Sequence, residues 1–160
     1  MTRNQHLLNS LESKIPPPVV MLVIAFAMWG ARLVTPFFTF HNPYRLHIAG
    51  SIALLGFLIE VAGLFLFLQK KTSFDPTHPQ SATRLVTRGI NRISRNPMYL
   101  GDLVILIGWA VYLSNPLALL CVPVFVIYIN RFQIRPEEKM LTQLFGTEYT
   151  TYCSRVHRWL

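Results

Sequence analysis

The sequence predicts an all-α fold: an integral membrane helical bundle of about four transmembrane helices, with a tight hairpin joining the third and fourth and a cytoplasmic C-terminal helix. Two observations carry this. The 160 residues are 52% hydrophobic and only 14% charged, where a soluble domain carries about 25% charged residues. The missing charge is also concentrated in long apolar runs rather than thinned evenly along the chain. A single domain over residues 1–160 is expected.

The first span runs from about Val19 to Val34, entered through Ile15-Pro16-Pro17-Pro18 and left at Thr35-Pro36. Proline is tolerated in the first helical turn because its missing N–H would have no intrahelical partner there. The second span covers about 48–68 and stops at Gln69-Lys70-Lys71. The third covers 98–113 and the fourth 117–132. A spanning helix needs about 20 residues, so these last two are short. Only Ser114-Asn115-Pro116 separates them, which makes an antiparallel hairpin. Asn96-Pro97 and Asn115-Pro116 repeat one start signal, an asparagine to cap the orphan N–H groups followed by a proline.

The basic residues orient the bundle. Apart from Arg32 and Arg45, every lysine and arginine lies before the first span, between the second and third, or after Ile129. An excess of this kind marks the cytoplasmic side, so both termini are expected there in a multi-pass topology. No cleavable leader is expected, since the first 14 residues are polar and no small-residue cleavage site follows Val34.

Several function classes drop out. A pI near 10 raises nucleic acid as a partner, but the charge flanks apolar runs and no nucleic-acid-binding motif is present, so none is expected. Cys121 and Cys153 have no plausible disulfide partner in a reducing compartment and make no zinc site; the five histidines lack ligand spacing. No metal is expected, and no phosphate-binding loop or nucleophile elbow appears.

Chemistry must then come from the polar segments at the membrane surface. Arg88, Arg92 and Arg95 run into the helix start at Asn96-Pro97, which places a basic, backbone-rich pocket where membrane meets water. The segment 70–95 is long for a connection, and such loops are functional or disordered; an ordered pocket wall is favoured, with Leu85-Val86 as a membrane-surface anchor. Beyond the fourth span, Pro136 reads as the first residue of a new helix carrying Glu137 and Glu138 in its first turn. The helix dipole alone favours carboxylates there, yet a pair beside Arg131 and Arg135 also suits a zwitterionic, cationic ligand. Met140, Leu141, Leu144 and Phe145 give that helix an apolar face and Gly146 ends it. Tyr149, Tyr152 and Trp159, among Arg155, His157 and Arg158, suit packing or headgroup anchoring. Within the spans, Glu60 and Asp102 are costly to bury and are functional candidates by default.

Taken in order, Leu85-Val86-Thr87-Arg88-Gly89, Arg95-Asn96-Pro97-Met98-Tyr99-Leu100-Gly101, Asn115-Pro116, Arg135-Pro136-Glu137-Glu138 and Phe145-Gly146-Thr147-Glu148-Tyr149 resemble the isoprenylcysteine carboxyl methyltransferase family. Phospholipid N-methyltransferases belong to the same broad group. The resemblance covers about residues 70–160 and is nearest to the small bacterial members. It implies a methyltransferase in a bacterial cell membrane that uses S-adenosylmethionine, held on the cytoplasmic side by the loop 70–97, the hairpin and the C-terminal helices 136–158. Carried over by position, Thr83, Arg84, Leu85 and Val86 would line the cofactor, Asn96 and Tyr99 would form its pocket at the helix start, and Glu137 would contact it. Glu138 would support Glu137 or bind arginine, and Arg131 or Arg135 would face the substrate or the cofactor carboxylate; these three are the catalytic candidates. The acceptor implied is lipid-like or isoprenoid-linked. Asn91 departs from the family, which has a tyrosine there that would stack on adenine, and Asp102 falls where an apolar residue is expected. Two rivals stand beside this reading. A nicotinamide-dependent membrane reductase would need more spans, and a non-catalytic membrane module would leave the motif order unexplained. Oligomeric state is not legible.

Overall fold

The structure is a computed structural model that describes residues 15–40, 42–69 and 85–160. Among the described residues seven α-helices follow in order: α1 Pro17–Val34, α2 Arg45–Gln69, α3 Pro97–Leu113, α4 Pro116–Leu119, α5 Cys121–Ile129, α6 Arg135–Phe145 and α7 Thr147–Cys153. A 3-10 turn at Gly89–Arg92 precedes α3, and a π-turn at Asn130–Ile134 joins α5 to α6. The described residues contain no strand.

Among the described residues three helical stretches are long and apolar enough to cross a membrane: Pro17–Val34, Arg45–Leu66 and Pro116–Phe145. Helix α3 is apolar but has 17 residues, about 26 Å at 1.5 Å per residue, against a hydrocarbon core of about 30 Å. Only 11% of the apolar window of α1 is buried. The outward surface of the bundle is therefore hydrophobic, as a lipid-facing surface must be.

Among the described helices α2 and α3 pack against each other most extensively, and small residues are the reason. A Cβ on Gly56 would stand 2.8 Å from the Gly101 carbonyl oxygen, and one on Gly108 3.0 Å from that of Ala49. Without side chains at these points the two backbones meet directly, the usual device for helix packing in lipid. The apolar core lies across α1, α3 and α5, around Met28, Leu106, Leu113, Phe125 and Ile129. Trp109 ties α3 to α1 by donating its indole N–H to the Ala25 carbonyl at 3.1 Å.

The hairpin connection behaves as its sequence predicts. Ser114 closes α3 in the left-handed region, and Asn115 caps α4 by accepting from the Leu117 N–H at 2.9 Å. The Asn115 amide also donates to the carbonyl and hydroxyl oxygens of Thr35, which fixes the far end of α1. Asn115→Ala removes the cap and leaves Thr35 groups without their donor, and is expected to cost about 2 kcal/mol. Thermal unfolding in detergent checks this.

Two local expectations are corrected. The fourth span does not end before a new helix at Pro136; the helix continues through the π-turn into α6. A π-turn shifts hydrogen bonding by one residue, which relieves the clash and the lost donor that proline imposes inside an α-helix. Asn96 occupies the cap position of α3, but its side chain accepts no N–H there. Its ψ of 62° differs from the extended backbone of a capping residue, and its amide instead donates to the Arg158 carbonyl at 2.9 Å.

Long-range bonds place the polar groups at one end of the bundle. Gln133 donates to the Ile15 carbonyl at 2.7 Å, the Arg95 N–H to the His157 carbonyl at 3.0 Å, and Trp159 to Asn130. The start of α1, the start of α3, the π-turn and the C-terminal segment therefore share one layer. Thr35, Phe40 and Ser114 meet at the other end.

Candidate active site

Tyr99 lies in the first turn of α3, and Glu137 in the first turn of α6. The Tyr99 hydroxyl donates to Glu137 Oε1 at 2.5 Å, with the residues 6% and 8% exposed. Local rules explain how each arrives. Pro97 starts α3 and orients Tyr99 inward, while the π-turn rotates α6 so that Glu137 faces the bundle and Arg135 faces out.

The adjacent Glu138 takes the opposite role and binds arginine. Arg158 forks onto it, Nε to Oε1 at 3.0 Å and Nη2 to Oε2 at 2.6 Å, and Arg95 Nη1 stands 3.1 Å from Oε1. The hydrogen bond from Arg158 to Glu138 raises the guanidinium pKa above its usual value. Arg95 also donates to the Cys153 sulfur. The network thus ties the start of α3 to α6, α7 and the C-terminal residues.

Leu85 packs against Tyr149, Tyr152 and Val156, and Val86 beside it is buried. Gly89, at φ +61°, turns the chain in the left-handed region, where a Cβ would also stand 2.7 Å from Leu66. The turn leads to Asn91, which is 4% exposed. The Tyr152 hydroxyl donates to the Asn91 carbonyl at 2.6 Å. A cleft of about 660 Å³ opens beside it, lined by Thr87, Arg92, Thr151, Tyr152, Arg155 and Val156. Burial pushes the Tyr152 hydroxyl up to about 12 and raises Tyr149 as well, helped there by Cys153.

That shift has a consequence at alkaline pH. Between about 10 and 12 the unfolded chain ionises Tyr152 while the folded one does not, so stability present below 10 is lost as pH rises through this window. Tyr152→Phe is expected to be less stable at neutral pH by about 1 kcal/mol for the lost hydrogen bond and to show a smaller alkaline decline. Unfolding followed from pH 8 to 12 would show both.

Of the residues singled out by sequence, the structure brings Leu85, Val86, Asn96, Tyr99, Glu137 and Glu138 into one layer. Arg131 is half-buried in the π-turn, its guanidinium 5.3 Å from the Phe132 ring, and Arg135 is exposed. Thr83 and Arg84 lie outside the described residues, as does most of the loop 70–97. Arg95 and Arg158 were missed as site residues. Arg158 carries no local signal, since its partner lies twenty residues earlier in the chain.

The family model for phospholipid methyltransferases matches residues 44–148, from the start of α2 into α7. The chain belongs to this family. A Haemophilus influenzae protein described as uncharacterized is 49% identical over 63 residues, which are 39% of this chain and 100% of that protein. A probable protein-S-isoprenylcysteine O-methyltransferase of Oryza sativa subsp. indica is 37% identical over 83 residues, 50% of this chain and 42% of the relative. Protein-S-isoprenylcysteine O-methyltransferase of Saccharomyces cerevisiae is also 37% identical over 83 residues, 50% of this chain and 34% of the relative. The match therefore spans less than half the length of these two methyltransferases. No solved structure matches.

Proposed function

We propose that the protein is an S-adenosylmethionine-dependent methyltransferase that acts on a lipid-like or isoprenoid-linked acceptor at the cytoplasmic face of a bacterial cell membrane. The observation that carries this reading is the buried Tyr99–Glu137 contact inside the polar layer. In this reading both termini are cytoplasmic and residues 1–160 act as one domain.

The residues suit the cofactor. Its amino-acid end is zwitterionic and its sulfonium is cationic, and the layer offers the Glu137 carboxylate together with Arg95 and Arg158. Two buried polar atoms there, Asn91 Oδ1 and Arg95 Nε, have no hydrogen-bond partner. Buried polar groups are normally satisfied, and a ligand with both donors and acceptors would satisfy these. Where the family has a tyrosine, Asn91 leaves the position without a ring, and Tyr152 supplies one next to it.

When bound, S-adenosylmethionine supplies an electrophilic methyl group on sulfur. The protein's part is placement. Tyr99 holds Glu137 in one orientation, and the Arg95–Glu138–Arg158 network holds α3 against α6 and the C-terminal residues. Fixing two reactants in line supplies most of the acceleration for a displacement of this kind. The apolar outer surfaces of α1 and α2 let a lipid-borne acceptor approach from the bilayer.

The full chain in vesicles, given methyl-labelled S-adenosylmethionine, tests this. Label in the lipid-extractable fraction supports it. Oxidation of NADPH by the same vesicles, without methyl transfer, would replace it with the reductase reading.

A further inference from the structure

The cleft beside Tyr152 is chemically unlike the apolar surface of the bundle. Its volume of about 660 Å³ lies within the range of about 300–1,000 Å³ usual for small-ligand sites. Two segments distant in the chain build its walls. The turn before α3 supplies Thr87 and Arg92, and α7 with the residues after it supplies Thr151, Tyr152 and Arg155. The N–H groups of Arg155 and Val156 both donate to the Tyr152 carbonyl at 3.1 Å, so a helical turn continues past Cys153. Thr151 and Arg155, four residues apart, therefore share one face. The walls are hydroxyl and guanidinium, which suit a polar headgroup rather than an acyl chain.

The arginines divide into two sets. Arg95 and Arg158 are committed to Glu138. Arg92 and Arg155 are exposed, and neither guanidinium makes a hydrogen bond or ion pair among the described residues. Glu148 also lines the cleft and pairs with neither of them, so the lining is positive by two charges to one. Gly89, which opens the turn ending at Arg92, lies against Leu66, the last residue of the apolar stretch Arg45–Leu66. The cleft thus stands at the end of a helix long enough to cross a membrane. Ile93, the residue after Arg92, is 58% exposed there.

We propose that this cleft binds a phosphate ester as a ligand in its own right, apart from the methyl donor and acceptor. Arg92 and Arg155 fork onto the phosphate oxygens, a geometry that guanidinium matches, and the hydroxyls of Thr87 and Thr151 donate to those that remain. An anionic phospholipid headgroup and a soluble phosphate ester share this chemistry. The place of the cleft beside a spanning helix favours the lipid, since basic pockets at this level take anionic headgroups. A ligand touching both walls braces the junction that the Tyr152 hydroxyl makes with the Asn91 carbonyl. Neither Tyr99 nor Glu137 lines the cleft. The proposal stands without the methyltransferase reading, because binding and stability are its readouts.

The test follows thermal unfolding of the full chain in phosphatidylcholine nanodiscs, where both membrane faces meet solvent. One arm adds phosphatidylglycerol to the bilayer, and the other adds sn-glycerol 3-phosphate to the buffer. Phosphatidylglycerol is expected to raise the unfolding temperature by a few degrees, as a ligand of the folded state does, and less so at high salt. Arg92→Gln and Arg155→Gln should each weaken binding about 10-fold and remove most of that shift. Both side chains are exposed and unpaired, so these variants should unfold like the wild type in phosphatidylcholine alone. Arg88→Gln, exposed on the same segment but outside the cleft, should keep the shift, and Glu148→Gln should enlarge it. A shift with sn-glycerol 3-phosphate that both arginine variants lose would support the phosphate site and assign it to a soluble ester. No shift in either arm, a full shift in both arginine variants, or an equal loss in Arg88→Gln would overturn the proposal. A smaller shift in Glu148→Gln would also overturn it, by showing that the ligand carries a cation held by Glu148.

Discussion

Glu137→Gln is expected to weaken S-adenosylmethionine binding by about 10- to 100-fold while the protein still inserts and folds. The range follows from the 1.5–3 kcal/mol typical of a hydrogen bond to a charged group, at about 1.4 kcal/mol per factor of ten. Glutamine keeps an oxygen that accepts from the Tyr99 hydroxyl, so the contact between α3 and α6 survives and only the negative charge is lost. Glu137→Ala removes both. It should lose at least as much affinity and, in addition, stability, because the buried Tyr99 hydroxyl is left without its acceptor. Calorimetry for affinity and thermal unfolding for stability separate the two variants. A Glu137→Gln protein with wild-type affinity would remove Glu137 from the cofactor site.

Gly101→Val should be the most destabilising single change, at about 3 kcal/mol, the upper end of the usual cost of overpacking. The added Cβ would stand 2.8 Å from the Gly56 carbonyl oxygen and 3.0 Å from the Glu60 backbone N. These are backbone atoms that no rotamer change can move, so α2 and α3 must part. Because α3 carries Tyr99, activity should fall with stability. Gly50→Ala, also on α2, is the control: nothing lies within 4 Å of its Cβ position, and helix propensity favours alanine by up to about 1 kcal/mol. Equal unfolding temperatures for the two variants would contradict the account of the α2–α3 contact.

The helices were legible because their cause is local. Apolar runs, the proline at the entry to α1 and the Asn-Pro starts of α3 and α4 all act within a few residues, and the structure has helices where they predict them. Asn115 even caps as its sequence suggests, since the acceptor and the N–H it serves are two residues apart. Asn96 carries the same signal and does not cap, because its backbone, at ψ 62°, leaves the extended conformation of a capping residue, in a segment held by a bond to a carbonyl 62 residues away. The continuous helix through Pro136 was hidden for a similar reason: no residue type announces a π-turn.

The candidate site divides along the same line. The first-turn position of Glu137 and Glu138 suggested two carboxylates at one surface, and their order in the motifs suggested different roles. Sequence alone did not show which would turn inward, because that depends on the rotation the π-turn gives to α6. The dependence of Glu138 on Arg95 and Arg158 was equally out of reach, as it joins three segments distant in the chain. Glu60 had no visible neighbour in the sequence; its close approach to Gly101 depends on glycines that lie on two different helices.

The most direct test of the central claim is calorimetric titration of the full-length protein in detergent with S-adenosylmethionine and S-adenosylhomocysteine, and with NADPH in parallel. The account predicts binding of both adenosyl ligands in the micromolar range and none of NADPH. Binding of NADPH with neither adenosyl ligand bound would contradict it.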